Sequence, residues 1–346
     1  MRRMNDILKG INHDKIYSVF EAALSLPYST RNDLSEMTGL SYTTVDKITN
    51  GLIEEGILRQ TKGTDHNGSR RSRIVRLKSK LWFAVYVMNR NTCDLRVYDL
   101  RLRCILPSVG YLGKQETYDY FISDYIKVSR NRINIDLRLT NAGGIAVLVP
   151  GAYNEKEDII TNNGIPGISD VRLKDHFSTY DFGVEPMITS LFSAFGEKLR
   201  SNISENECIM ALNLCIGYVY NTYIQGSSVC APLYINDLGS VSVSDGRRLT
   251  EIIKSTPYPD KFFEALSEVV FKAMYTVPVT SICVSGDLYN EQIDAVAKVL
   301  YNYLKRHCDA SLLECPEVTH RDISRESSDY YAYLLRRKWF LENILS

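Results

Sequence analysis

The chain has 346 residues, and its 41 Lys/Arg balance 41 Asp/Glu, so it carries no formal net charge. Hydrophobic residues make up 45% and charged residues 24%, the mix of a soluble globular protein long enough for two or three domains. No apolar run reaches the ~18 residues of a membrane span, and the opening Met-Arg-Arg-Met-Asn-Asp has no apolar signal stretch, so a cytoplasmic protein with no membrane partner is expected.

In chain order, Ile16, Val19, Phe20, Ala23 and Leu24 recur at helical spacing, which predicts a helix over residues 13–26 that Pro27 ends. Ser29 or Thr30 caps a second helix with Asp33 in its first turn, and Gly39 closes it with a left-handed turn. Ser41 caps a third helix. At 100° per residue, Val45, Ile48, Thr49 and Leu52 point inward. Thr43, Lys47 and Asn50 point outward, with Thr44 and Asp46 on the flanks. Gly56-Ile57-Leu58-Arg59 reads as a strand and Lys62–Gly68 as a hairpin tip carrying the Asn67-Gly68 turn signal. The return strand is Arg70-Arg71-Ser72-Arg73-Ile74-Val75-Arg76-Leu77.

Residues 29–78 therefore read as a winged helix-turn-helix within a domain of residues 1–80. Short polar side chains with one cation on an outward helix face suit base-edge and phosphate contact in a major groove. The expected DNA-binding residues are Ser41, Tyr42, Thr43, Thr44, Lys47, Arg70, Arg71 and Arg73, the arginines reaching phosphates or a narrow minor groove. The competing reading is a small helical domain whose hairpin is a solvated loop. Charge favours DNA: residues 1–80 hold about 14 Lys/Arg against about 9 Asp/Glu, roughly +5, which leaves roughly −5 for the rest.

The remainder, residues 81–346, alternates strands and helices. Strands are expected at Leu81–Val87 and Asp94–Leu100, a helix at Tyr118–Ser129, a buried strand at Gly143–Val149 ending in Pro150-Gly151, and a helix at Pro186–Arg200. A further buried strand at Cys208–Cys215 is followed by Tyr218–Gln225, helices are marked by Phe262–Ala273 and Ile293–Leu300, and a strand lies at Ser281–Ser285. This pattern is α/β. The Gly143-Gly144 pair reads as a tight turn before a buried strand, and Asn236–Arg248 as a polar hairpin. The C-terminal Tyr330–Phe340 segment reads as a helix that either packs on the body or returns to the N-terminal domain. The eight cysteines form no CxxC pair and sit mostly in apolar runs, so reduced buried thiols are expected.

With Gly-Ile-Ala-Val-Leu-Val-Pro-Gly at 144–151, Asn163-Gly164-Ile165-Pro166-Gly167-Ile168, and the helix-then-strand unit Phe262–Gly286, the chain resembles the ROK family of repressors and sugar kinases. The resemblance implies a two-lobed, actin-like (ribonuclease H-like) sugar-kinase-type body, with lobes at about residues 81–190 and 191–346, behind the winged helix. The chain departs from the family's functional motifs. Where the first phosphate loop reads Asp-x-Gly-Gly-Thr, this sequence has Met88-Asn89-Arg90-Asn91-Thr92, without the glycines that let backbone amides approach phosphate. Where the catalytic Asp is expected, Glu185–Phe192 offers Thr189 and Ser190, which are not general bases near neutral pH. The second phosphate loop is reduced to Leu214-Cys215-Ile216-Gly217, and the C-terminal glycine pair to Ser285-Gly286-Asp287. The zinc motif, a His followed by three close Cys, has no counterpart, since no His lies between His176 and His307.

The expectation is therefore a DNA-binding transcriptional regulator and a repressor, not an enzyme. It would bind a double-stranded operator as a homodimer, with no catalytic residue, cofactor or metal and with an unidentified small-molecule effector. The alternatives are a ROK carbohydrate kinase that retains phosphotransfer and a body that is only a dimerisation scaffold.

Overall fold

The computed structural model describes residues 10–27, 29–62, 73–77, 81–89, 91–113, 116–135, 141–161, 167–200, 204, 207–215, 218–225, 236–238, 241–249, 251–252, 259–275, 277–286, 293–311 and 313–344. It opens with three helices, α1 (His13–Ser25), α2 (Arg31–Thr38) and α3 (Tyr42–Glu54), then an antiparallel pair, β1 (Leu58–Lys62) and β2 (Arg73–Leu77). Local chemistry sets these boundaries. Asn12 caps α1, Thr30 and Asp33 form a reciprocal capping box on α2, and Ser41 caps α3. Gly39 turns the chain between α2 and α3 at φ 66°, a conformation that costs glycine nothing.

The first five-stranded sheet contains β3 (Leu81–Met88), β4 (Thr92–Asp99), β5 (Cys104–Tyr111), β6 (Asn141–Val149) and β9 (Pro186–Ser190), in the order β5-β4-β3-β6-β9. Between its strands lie α4 (Tyr118–Ile135), the short hairpin β7 (Ala152–Asn154) and β8 (Ile159–Thr161), and α5 (Leu173–Thr179). The helix α6 (Leu191–Arg200) follows β9. The second sheet runs β12 (Asn236–Asp237), β11 (Tyr218–Gln225), β10 (Cys208–Cys215), β13 (Ser281–Ser285) and β14 (Glu317–His320), with helices α7 (Pro259–Met274) and α8 (Ile293–Ser311). The last element is α9 (Ile323–Ile344). Both sheets mix parallel and antiparallel pairs, as in an α/β fold.

Two expectations are corrected. Residues 186–190 are a strand, not the start of a helix: they pair in parallel with β6, from Ile145 opposite Pro186 to Val149 opposite Ser190. Pro186 is tolerated as the first residue of that strand, where a missing amide matters least. Gly143 and Gly144 lie inside β6 rather than in a turn. The register slips between Trp82 and Phe83, so that Trp82 faces Ala142 and Phe83 faces Gly144; Gly143 is the extra residue of a bulge. The space beside it is filled by the Phe83 ring, 2.5 Å from where a Cβ would stand.

Alternation along β3 divides the core. Phe83, Val85 and Val87 face a cluster containing α1, α3, α6 and α9, whereas Trp82, Ala84, Tyr86 and Met88 face α4 and α5. A third cluster packs α7 and α8 on the second sheet. The first cluster also takes in Ile209, Ala211 and Cys283 of the second sheet, so α6 and α9 share one core with the N-terminal helices and both sheets.

Candidate nucleic-acid interface

The helix α3 presents two unlike faces. Val45, Ile48, Thr49 and Leu52 are buried, while Tyr42, Thr43 and Lys47 are exposed and Thr44, Asp46 and Asn50 are half-buried. At its start, Ser41 Oγ accepts from the Thr44 amide at 3.3 Å and lies 2.9 Å from Thr44 Oγ1. The hydroxyls of Ser41 and Thr44 thus satisfy each other and the free end of the helix. Tyr42, 53% exposed, stands beside them as a large ring with no core to enter. Arg73 opens β2 opposite Lys62, and Arg70 and Arg71 lie outside the described residues.

Behind α3 lies a residue that the sequence reading did not select. Arg31, the first residue of α2, is buried. Its Nε lies 2.5 Å from Asp46 Oδ1, and its Nη2 donates to Asn50 Oδ1 at 2.7 Å and to Gln60 Oε1 of β1 at 3.4 Å. Asn50 Nδ2 in turn donates to Asp46 Oδ2 at 3.2 Å. The only sequence signal was an arginine directly after a capping threonine, where a cation opposes the helix dipole.

Most body positions singled out by motif are engaged within the structure. Met88, at the end of β3, is buried. The Asn89 amide donates to the Thr92 carbonyl at 2.8 Å, and the Leu112 amide to the Asn91 carbonyl at 2.8 Å. Tyr118 donates its hydroxyl to the Asn89 carbonyl. The Asn89 amide and the Asn89, Asn91 and Thr92 carbonyls of this bend are thus engaged within the protein. At the end of β9, Ser190 is buried beside Val149, and its Oγ makes no hydrogen bond to a described residue. Gly286 has φ 129°, and a Cβ there would stand 2.1 Å from the Leu214 carbonyl oxygen of β10; close backbone crossing explains this glycine without a ligand. The residues do not fit a His-Cys₃ zinc site: no His occurs between His176 and His307, and the cysteines in that interval (208, 215, 230 and 283) are widely spaced.

The helix α9 joins these parts. At its start the Arg321 amide donates to Val284 O at 3.0 Å and the Ile323 amide to Ser285 Oγ at 3.2 Å, both at the end of β13. Glu326 accepts from Arg321 at 3.0 and 2.7 Å and also from Lys198 of α6. Burial pushes the Glu326 carboxyl up, but these two cations outweigh it and hold it below its ordinary value of 4.5. Midway, Asp329 Oδ1 accepts from Tyr98 Oη at 2.7 Å, and Leu335 covers Gly144. At its far end Phe340 packs on Tyr17 and Phe20 of α1, with ring centroids 5.3 and 4.4 Å apart. Arg336 is 5% exposed; its Nη2 donates to Glu21 Oε1 at 2.5 Å and to Tyr17 Oη at 3.3 Å, and its Nη1 to Leu100 O at 3.4 Å. The C-terminal helix therefore packs on the body and on the N-terminal helices alike.

No protein-family model matches the sequence, and no curated protein matches it. Solved structures do. A ROK family transcriptional regulator, a homolog of the E. coli MLC protein, aligns over 96% of this chain and 98% of its own, with 12% identity and a TM-score of 0.58. The chain has the ROK fold. The ROK glucokinase of Streptomyces griseus, solved with glucose and AMPPNP, aligns over 74% of this chain and 99% of its own, at 10% identity and a TM-score of 0.51. The polyphosphate/ATP-glucomannokinase of Arthrobacter sp. strain KM covers 75% of this chain and 99% of its own, at 10% identity and a TM-score of 0.50. At such identities the ROK likeness is one of architecture, and function has to be argued from the site. Among the described residues, no helix is long and apolar enough to cross a membrane.

Proposed function

We propose that this protein is a DNA-binding transcriptional regulator that acts as a repressor, with a winged helix-turn-helix at residues 29–78 of a domain of residues 1–80 and the ROK-like body serving in effector response or dimerisation without phosphotransfer. The observation that carries the reading is α3. It buries Val45, Ile48, Thr49 and Leu52 and leaves Tyr42, Thr43 and Lys47 exposed, the arrangement of a recognition helix held from behind. The share of the chain aligned supports it: the regulator covers 96% and the two kinases 74–75%, a difference of about a fifth of the chain. In this reading Ser41 caps the recognition helix. Tyr42, Thr43, Thr44 and Lys47 contact bases or fix register, and Arg70, Arg71 and Arg73 contact the backbone or minor groove. A homodimer places two such helices on paired half-sites.

The test is binding to a duplex enriched by the wild-type protein from a random-sequence pool, followed by fluorescence anisotropy. Thr43→Ala is expected to reduce discrimination against a random duplex, by about 1–3 kcal/mol if Thr43 reads a base. Lys47→Ala is expected to weaken both duplexes and lower the salt slope by about one. Binding unchanged in both variants would remove α3 from the interface.

One observation favours a second reading, a carbohydrate kinase: the ROK glucokinase aligned above was solved with glucose and AMPPNP. Against it stand Met88 at the end of β3, the engaged bend at Asn89, and Thr189-Ser190 where a base is needed. ATP-dependent phosphorylation of glucose by the pure protein would establish it.

A further inference from the structure

A buried arginine at the first position of a helix is an expensive choice. Its charge opposes the dipole at that end, and removing a guanidinium from water is costly before any partner is found. Arg31 does not cap α2, because Thr30 and Asp33 already form the capping box. Its side chain, 4% exposed, instead connects three elements: α2 itself, α3 through Asp46 and Asn50, and β1 through Gln60. The Asn50–Asp46 bond closes the triangle. Asp46 matters most, because its side chain is 43% exposed and it directly precedes Lys47 on the helix proposed to meet DNA. An unpaired carboxylate there, one residue from Lys47, would act against phosphates that come within about a Debye length of it, about 8 Å at physiological salt.

We propose that Arg31 is a positioning residue for DNA recognition: its buried guanidinium neutralises Asp46 and locks Asn50 and Gln60, so that α3 and the β1–β2 hairpin meet the duplex in one fixed geometry. This rests on the DNA-binding reading above and assigns two separable tasks to one side chain. The charge cancels a repulsion that acts on any DNA. The planar guanidinium, ion-paired with Asp46 and hydrogen-bonded through Nη2 to Asn50 and, at 3.4 Å, to Gln60, fixes the angle between the helix and the β1–β2 pair, which acts on the selected sequence alone.

The experiment measures binding of the wild type, Arg31→Met, Arg31→Lys and Arg31→Met/Asp46→Asn to the enriched duplex and to a random duplex of equal length, across a salt series, with thermal melting of each protein alongside. Arg31→Met is expected to lose at least tenfold on both duplexes. Arg31→Lys keeps a cation but not the planar guanidinium; it is expected to hold random-duplex affinity within threefold while losing discrimination. The double variant removes the carboxylate's charge and is expected to regain most of the random-duplex affinity, even if its melting temperature stays low. A purely structural role predicts instead that affinity follows melting temperature and that the double variant is no better than Arg31→Met; that result would overturn the proposal. So would an Arg31→Met protein that binds both duplexes like the wild type. A wild-type protein that enriches no duplex would defeat the DNA-binding reading itself, and this inference with it.

Discussion

The contact between Arg336 and Glu21 allows a prediction that depends on which partner is removed. Arg336 is nearly enclosed, with a side chain 6% exposed, whereas Glu21 is 39% exposed. Breaking a fully buried pair from one side costs about 3–5 kcal/mol, because the other charge is left dry and unpaired. Glu21→Ala leaves Arg336 with Tyr17 Oη, Leu100 O and the rings of Tyr17, Phe20 and Tyr333. The partial exposure of Glu21 lets water reach the vacated site, which brings the expected cost down to about 2 kcal/mol. Alanine suits the helix interior, so α1 itself should not suffer. Arg336→Met leaves Glu21 free to hydrate and keeps an apolar stem against Phe20, so its cost should stay below about 1 kcal/mol. Urea denaturation of both variants, monitored by far-UV circular dichroism, checks the order. If Arg336→Met proves the more damaging, or if both midpoints match the wild type, then Arg336 is not the enclosed member of the pair and the reasoning fails.

Gly286→Ala should destabilise by about 3 kcal/mol, since it combines a positive φ with a Cβ 2.1 Å from the Leu214 carbonyl oxygen; a urea midpoint within error of the wild type would contradict this packing. Glu326→Gln should cost about 1–2 kcal/mol at neutral pH, because Arg321 and Lys198 favour the ionised carboxylate. The folded pKa lies below the ordinary 4.5, so this stabilisation is complete above that value and is lost as pH falls through the folded pKa. The difference between wild type and variant in denaturant titrations should therefore shrink as pH falls below the ordinary 4.5 and through the lower folded pKa, and a constant difference would exclude the ion pairs as its source.

The N-terminal helices were legible because their signals are local. Gly39, Ser41 and the apolar spacing of Val45, Ile48 and Leu52 each act within one turn of where they stand. Residues 186–190 were misread because Met-Ile-Thr-Ser-Leu-Phe is an apolar run that either period accommodates; its strand form comes from pairing with β6, some 40 residues earlier. The α4 helix extends to Ile135 rather than stopping at Ser129 because Ile126, Ser129 and Ile133 continue one buried stripe. The Arg31–Asp46 pair left only the oddity of a cation at the start of a helix, since a buried arginine and a half-exposed aspartate otherwise look like two surface residues. The double docking of α9 was hidden for another reason. Its apolar and aromatic residues surround the helix, and only the three-dimensional core assigns Leu335 to β6 and Phe340 to α1.

At about 1.5 Å per residue, the 22 residues of α9 extend about 33 Å, from the end of β13 to the side of α1. A rigid rod anchored at both ends cannot tilt at one end without disturbing the other. In the proposed regulator, a ligand that shifts the second sheet against the first must therefore either bend α9, against its contacts with β3 and β6, or strain the Arg336–Glu21 contact. The energies are comparable. A ligand that binds one placement of α9 about thirtyfold better than another supplies about 2 kcal/mol, roughly what Glu21→Ala should remove. Neither depends on a phosphate loop or a catalytic base. In the proposed regulator, the body would act on the N-terminal helices with the residues it has, through a buried cation whose partner is half-open to water. The same arithmetic predicts that Glu21→Ala, by weakening this contact in advance, should reduce the change in DNA affinity produced by any such ligand and tighten ligand binding to the body by up to about thirtyfold, because the ligand no longer has to strain the contact.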